Sequence, residues 1–379
     1  MYDVIVIGAG LTGAAAAWSL SQRGRSVLVL EANDLNHNQG SSHGTSRIFR
    51  RSISSPKYAA LAERAQYLWR KVESQSGQEL LTITGSLDFG EVRNPSALFA
   101  AATANGVACE LLTAEAAQER WPNFRFTTDV MFHADAGTLN PEAAIRALLE
   151  VATAQYGAEL LTNTRVVGIE ELPGRVQVRT VGRTYSTRSV VVAAGPWLPE
   201  LLPHLFPEVG PVQVSVHEQN VFHFPQLRAE DRWPVFVYKG HAQFFALPSG
   251  ADGGPSPAIK IGRHDPGREV TPAHRDGVPT AENRELISEF VREHLPGLES
   301  EPVAEDTGLY TITRNDDFIM DRIGRITVAS PCSGQGAKFM PAVGELLADI
   351  VLENAPIDED FALMSHLQAR SGPATVPIG

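Results

Sequence analysis

Three glycines, Gly8, Gly10 and Gly13, stand in the spacing GxGxxG at the start of the chain, and Glu31 follows them. That set can bind a dinucleotide. The first glycine permits a tight turn, the second lets a pyrophosphate approach the backbone, and the third lets a helix pack close to a sheet. Free N–H groups where the helix opens, at Leu11 and Thr12, would receive the pyrophosphate. The Glu31 carboxylate can accept hydrogen bonds from both hydroxyls of an adenosine ribose. An acidic residue there fits FAD or NAD and disfavours the 2′-phosphate of NADP. The motif alone does not choose between the first two.

Other residues with chemical potential lie far from this motif. The polar stretch 32–51 is too long for an ordinary connection and carries His43, Arg47, Arg50 and Arg51. Lys260 stands between Ile259 and Ile261 in an alternating run, so it points away from both, toward solvent or toward a site. A second glycine-rich turn, SPCSGQGAKF (330–339), follows a strand and opens a helix, which makes another anion-receptive helix N-terminus. Lys338 within it opposes the helix dipole and calls for a reason such as a bound anion.

The elements that must position these residues are read as follows. Residues 2–7 form a buried parallel strand, 14–22 an alanine-rich helix stopped by Gly24, and 26–30 a second strand. A helix covers 57–72. Asn94-Pro95 and Asn140-Pro141 each read as a cap followed by proline at the first helical position. Short strands at 159–161, 165–170, 175–179 and 189–194 read as a meander that returns to a buried parallel strand. From residue 211 the strands alternate as in an antiparallel sheet with one covered face. A helix follows at 281–294, then strands at 309–313 and 326–329 and a helix at 343–352; the tail after 355 carries no signal. The expected fold is therefore α/β, a Rossmann-like domain with a second α+β domain on a mixed or antiparallel sheet. The expected division gives 1–83, 138–205 and 312–379 to the nucleotide and 84–137 and 206–311 to the substrate, with the ligand between them.

Composition narrows the classes. The chain has 379 residues and a formal net charge of −12, which argues against nucleic acid and anionic membrane surfaces as partners. Two cysteines, Cys109 and Cys332, imply no disulfide framework and a reducing, cytoplasmic setting. The apolar N-terminus lacks a basic start and is read as the dinucleotide motif, not a signal peptide. No metal is expected, and the chain is read as a monomer or a weak homo-oligomer.

Taken in order, GAGLTG (8–13) with Glu31, GSSHGTSRIFR (40–50), VVVAAGPW (190–197), IKIGRH (259–264), LYTITRNDDFIMD (309–321) and SGQGAKF (333–339) resemble the monomeric sarcosine oxidase family, to which N-methyltryptophan oxidase belongs, among the D-amino-acid-oxidase-like flavoproteins. The resemblance spans nearly the whole chain. It implies FAD in a glutathione-reductase-type domain, with a small amino-acid substrate and O2 as partners. It implies oxidation of a secondary amine, N-methyl or cyclic: hydride passes to the flavin, the imine hydrolyses, and O2 is reduced to H2O2. By position, Arg50 and Lys338 match the pair that grips the substrate carboxylate, Arg47 and His43 match residues lining the flavin ring, and Lys260 matches the lysine that activates oxygen. His264 and Tyr310 match residues around the substrate pocket. Cofactor contacts are implied at Ser41, Ser42, Val166, Gly195, Gly334, Gly336 and Lys338.

The chain departs from the family pattern at several places. The family's flavin-attaching cysteine is Gly308 here, so FAD is expected to be held without a covalent bond. A pocket tyrosine is Phe245, a histidine of the glycine-rich turn is Gln335, and Arg263 replaces an aromatic residue. These substrate-side changes point to a bulkier or more polar substrate than sarcosine. A dehydrogenase that passes electrons to another carrier is the competing enzyme; Lys260 argues against it. A non-catalytic flavin-binding subunit of an amine oxidase complex is the competing non-enzyme; Arg47, Arg50, Lys260 and Lys338 would then have no reason to coexist.

Overall fold

The structure is a computed structural model and describes residues 1–35, 37–209, 211–265 and 267–367. Val27–Leu30 is buried at every position and leaves no face for water. Such strands lie inside parallel sheets. Here Val4 faces Val27 and Ile7 faces Leu30 in parallel register. Thr184–Val192 flanks the other side of Tyr2–Ile7, again parallel, with Ile5 opposite Val190. The eight-stranded sheet runs Val166–Leu172, Arg175–Thr180, Thr184–Val192, Tyr2–Ile7, Val27–Leu30, Glu159–Leu161. Ile326–Ser330 joins Thr184–Val192, and Ile319–Ile323 joins Ile326–Ser330. The helices Leu11–Gln22, Pro56–Ser76, Pro141–Glu150 and Met340–Val351 share one core around Val6, Trp18, Trp69, Leu148 and Leu347.

The second sheet has nine strands and a strict two-residue alternation. Phe89, Phe222, Phe236, Tyr238, Phe244 and Ile261 pack on one face with Phe290 of the helix Ala281–His294. The intervening residues Val237, Lys239, Phe245, Leu247 and Lys260 must then point the other way, and they line a cavity. A small third sheet joins Arg47–Phe49 and Leu81–Ile83 to Gly137–Leu139. No helix among the described residues is long and apolar enough to cross a membrane.

Asn94 and Asn140 cap as expected, their side chains accepting from the N–H groups of Ala97 at 3.2 Å and Ala143 at 3.0 Å. Several other expectations change. Glu159–Leu161 is not part of the meander; it pairs in parallel with Val27–Leu30, because its length suffices only for an edge. The strand expected at 309–313 begins at Ala304, its first half disguised by Glu305 and Asp306. The last helix starts at Met340, where Pro341 fits the first turn, after a 3-10 turn at Gly336–Phe339. Leu198–Leu205 is helical despite Pro203. The tail is not featureless: Phe361 is buried against Tyr58 and Phe318. Residues 368–379, within the expected last segment of the nucleotide domain, lie outside the described residues.

Candidate active site

A cavity of about 1610 Å³ is lined by the first sheet's glycine motif and by the inner face of the second sheet. Ligand pockets are commonly about 300–1,000 Å³, so this one has room for a cofactor and a substrate together. Gly8 turns out of its strand at φ 98°, a left-handed value that favours glycine. A Cβ on Gly13 would overlap the Gly8 carbonyl oxygen, so Gly13 serves packing and does not line the cavity. Gly10, Leu11 and Thr12 do line it, as do Val166 and Gly195. Glu31 is buried and receives the Ala9 N–H at 2.7 Å and the Asn33 N–H at 2.9 Å. Ser42 Oγ accepts from the Leu11 N–H at 3.3 Å, and the Ser41 hydroxyl is buried without a partner among the described residues.

The loop between the motif and the third sheet is folded around Arg47. Its guanidinium donates to the carbonyls of Ser46 at 2.8 Å, His43 at 2.7 Å and Ser41 at 3.2 Å. His43 bridges the Gly40 carbonyl at 3.0 Å and the Thr307 carbonyl at 2.9 Å, with Asp306 3.4 Å away. Lys260, 4% exposed, is paired with Asp252, whose other oxygen accepts from the Thr45 hydroxyl at 2.8 Å. Burial alone would raise the Asp252 carboxyl, but the charge and hydrogen bond of Lys260 outweigh it and hold it well below the usual range. Burial and the neighbouring Arg47 depress Lys260. Tyr310 is pushed up to about 12 by burial, against the pull of Arg47. Half-buried Cys332 is likewise raised by desolvation, and its Sγ accepts from the Thr311 N–H at 3.3 Å.

A different charge pattern surrounds Arg50. Burial lowers its guanidinium to about 10, and it donates to the Ser52 carbonyl at 2.7 Å. Lys338, 6% exposed, donates to the Gln335 carbonyl at 2.6 Å, and burial, then Arg50, drives it well below an ordinary lysine. Phe245, Gln335, Gly334 and Gly336 line the same cavity. His264 faces the open cavity with protein on its other sides. Although its side chain is exposed into the cavity, desolvation by the enclosing walls, then the charges of Lys239, Arg50, Arg93 and Lys338, lower it to about 4 and favour the neutral ring at ordinary pH.

Besides Gly13, one substrate-side candidate does not line this site. Arg263 shares the face of Ile259 and Ile261, as two-residue alternation requires; it does not itself line the cavity, and it bonds Asn283 at 3.3 Å and Asp265, a residue of the cavity wall, at 2.9 Å. Sequence reasoning missed Asp252, Asp306, Asp88, Arg93 and Lys239. For Lys239 the alternation of Phe236 and Tyr238, and for Asp88 that of Leu87 and Phe89, was an available signal; Asp252 sits in a 3-10 turn and Asp306 in the polar first half of its strand, where no pattern marks them.

A sequence profile of FAD dependent oxidoreductases matches residues 3–350. The chain belongs to that family. This oxidoreductase is 32% identical to peroxisomal sarcosine oxidase of Homo sapiens, over 94% of this chain and 93% of that one. It is 31% identical to N-methyl-L-tryptophan oxidase of Yersinia pestis (strain Pestoides F), over 97% of this chain and 100% of that one. Among solved structures it is similar to the open form of NikD, an unusual amino acid oxidase essential for nikkomycin biosynthesis. The TM-score is 0.83 at 26% identity, covering 95% of this chain and 97% of that one. The expected kinship with sarcosine and N-methyltryptophan oxidases is borne out.

The residues present in this FAD dependent oxidoreductase suit its cofactor. The helix start at Gly10–Thr12 offers N–H groups to a pyrophosphate, Glu31 lies within the cavity wall, and the orphaned Ser41 hydroxyl wants a partner.

Proposed function

We propose that the chain is an FAD-dependent oxidase of a secondary amino acid, N-methyl or cyclic, that returns the electrons to O2 as H2O2. The observation that carries this reading is one cavity holding two separate cation sites: Lys260 with Asp252, and Arg50 with Lys338. Bound FAD would supply the electron sink for oxidation of the C–N bond. The chain's own residues do the rest. Arg50 and Lys338 bind the substrate carboxylate by charge-assisted hydrogen bonds and orient the amine. Neutral His264 can accept a hydrogen bond without adding charge beside them. Arg47 fastens the loop 41–46 and keeps a cation near the developing negative charge. Lys260, shut away from bulk water, stabilises the charge that oxygen gains on accepting an electron. Ser41, Ser42, Val166, Gly195, Gly334 and Gly336 are assigned to the cofactor.

FAD is held without a covalent bond in this reading. Gly308 has no thiol, and a Cβ there would meet open space. Cys332 stays a protonated, weakly nucleophilic thiol. The proposed division into nucleotide segments 1–83, 138–205 and 312–379 and substrate segments 84–137 and 206–311 is supported by the two large sheets, although the strand Ala304–Thr313 carries two residues of the first into the second. Two free cysteines support a reducing, cytoplasmic compartment, and we read the protein as a monomer or a weak homo-oligomer. The test is a peroxide assay on purified yellow protein with a panel of N-methyl and cyclic amino acids, followed by acid precipitation of the same sample. Peroxide with at least one secondary amine, and colour in the supernatant, are expected. No peroxide with any amine, or colour in the pellet, overturns the respective claim.

A further inference from the structure

Asp252, the partner of Lys260, stands on the turn Ala251–Gly253, and the turn reaches water at Ala251. It is held from two sides. On one side the Thr45 hydroxyl donates to Asp252 Oδ1 at 2.8 Å and accepts from the Asp252 N–H at 3.3 Å. On the other side the turn rests on His223. The imidazole Nδ1 lies 2.8 Å from the Ser249 hydroxyl, and a Cβ on Gly253 would come within 3.0 Å of the same nitrogen. His223 is 1% exposed and stands directly opposite Lys260 in antiparallel register, so both side chains rise from one face of the sheet. Its Nε2 is buried without a partner among the described residues. Burial, then the Lys260 charge, lowers the ring to about 4, so a neutral group stands beside the ammonium.

Lys260 depends on this support. Burial, then Arg47, favours its neutral amine, while Asp252 and Asp306 favour the ammonium. The Asp252 side chain is 18% exposed. A turn freed on one side would let it move out to water and leave the ammonium unpartnered. We propose that His223 is a positioning residue for the oxygen half-reaction: its imidazole fixes the turn that carries Asp252, and Asp252 in turn keeps Lys260 charged. This inference rests on the reading that Lys260 serves oxygen.

The test uses holoenzyme whose flavin has been reduced by light and is then mixed with oxygenated buffer in a stopped-flow instrument. In His223→Leu reoxidation should slow by at least about threefold near neutral pH, the scale of one net hydrogen bond. Reduction by the best amine of the peroxide panel should hold. The basic limb of the reoxidation profile, where Lys260 loses its proton, should move to lower pH, because an ammonium without its carboxylate deprotonates more easily. A general loss of structure would not move that limb. His223→Asn, with an amide where Nδ1 stood, should restore both rate and limb. Added to Lys260→Met, His223→Leu should slow reoxidation no further. A readout apart from turnover is the ring itself: followed by NMR in the resting protein, His223 should titrate at higher pH in Lys260→Met, since a neighbouring cation has gone. An unmoved ring titration overturns the inference, and needs no leucine variant that folds. So does an unchanged rate and limb in His223→Leu, an equal loss in reduction, or an effect that persists in Lys260→Met. If Lys260→Met itself reoxidises normally, the oxygen reading falls and takes this inference with it.

Discussion

The two ends of the cavity solve their electrostatics differently. Around Lys260, two cations are matched by two carboxylates: Asp252 pairs with Lys260, and both Asp252 and Asp306 act on Arg47. Around Arg50 the arrangement is looser: Asp88 lies 2.6 Å from Arg93 and 3.8 Å from Arg50, and Lys338 is depressed by the Arg50 charge. A matched group is satisfied before any ligand arrives, so its geometry can be fixed in advance, as electrostatic stabilisation of a reaction requires. Like-charged neighbours such as Arg50 and Lys338 stay destabilised until an anion enters, and part of the binding free energy of that anion comes from relieving them. In the proposed reading the first end serves oxygen and the second serves substrate.

The largest effect should come from breaking the matched end. In Lys260→Met the reduced enzyme should react with oxygen at least about a hundredfold more slowly, two steps of 1.36 kcal/mol. Reduction by substrate should change less. Stopped-flow on each half-reaction separates the two. Because Lys260→Met strands a half-buried Asp252, the pair Lys260→Met/Asp252→Asn should be run beside it. Normal reoxidation in both variants would remove the oxygen role from Lys260.

Breaking the end around Arg50 should cost binding, not oxygen chemistry. Arg50→Ala or Lys338→Met should weaken monocarboxylate inhibitors by at least about tenfold, the loss of one charge-assisted hydrogen bond. The yellow colour should stay with the protein. Inhibitor affinity unchanged in both variants would detach these residues from the substrate. The smallest effect is on pH dependence. Lys239 sits at about 8, so its charge is present below that pH and lost above it. Anion affinity should fall with rising pH, by up to about tenfold per unit for each essential charge lost, Lys239 above about pH 8 and Lys338 well below an ordinary lysine's range. His264, at about 4, is neutral across this range and adds no slope. A flat profile from below to above pH 8 would show that Lys239 does not face the anion.

The two ends also differ in how far the sequence announces them. Lys260 was readable because Ile259 and Ile261 fix the parity of its strand, and the glycine motif was readable because turn, helix and acidic residue follow at short range. Parity, taken two residues further, also excludes Arg263, and Phe236 and Tyr238 place Lys239. What was not legible is pairing over distance. Nothing local connects Thr45 to Asp252, or Arg93 to Lys239; a fold must bring them together before the charges can be counted. The three-residue strands Arg47–Phe49, Leu81–Ile83 and Gly137–Leu139 were invisible for the same reason, since a strand that short owes its shape to its neighbours.

The strand Ala304–Thr313 has a consequence for how such a protein can change over generations. It is paired at every position with its neighbour, from Ala304 opposite His223 to Thr313 opposite Val214. Buried Thr307, Leu309, Thr311 and Thr313 alternate with the half-buried Asp306, Gly308, Tyr310 and Ile312. It acts as a ruler for the cavity. Exchanging one side chain for another leaves the ruler intact, so a position such as Gly308 can change its letter for about 1 kcal/mol and keep the register. Inserting or deleting a single residue would slide every later mark to the opposite face, turning Leu309 toward the ligand and Tyr310 into the wall. Lineages of this protein are therefore free to re-letter the strand and bound to keep its length.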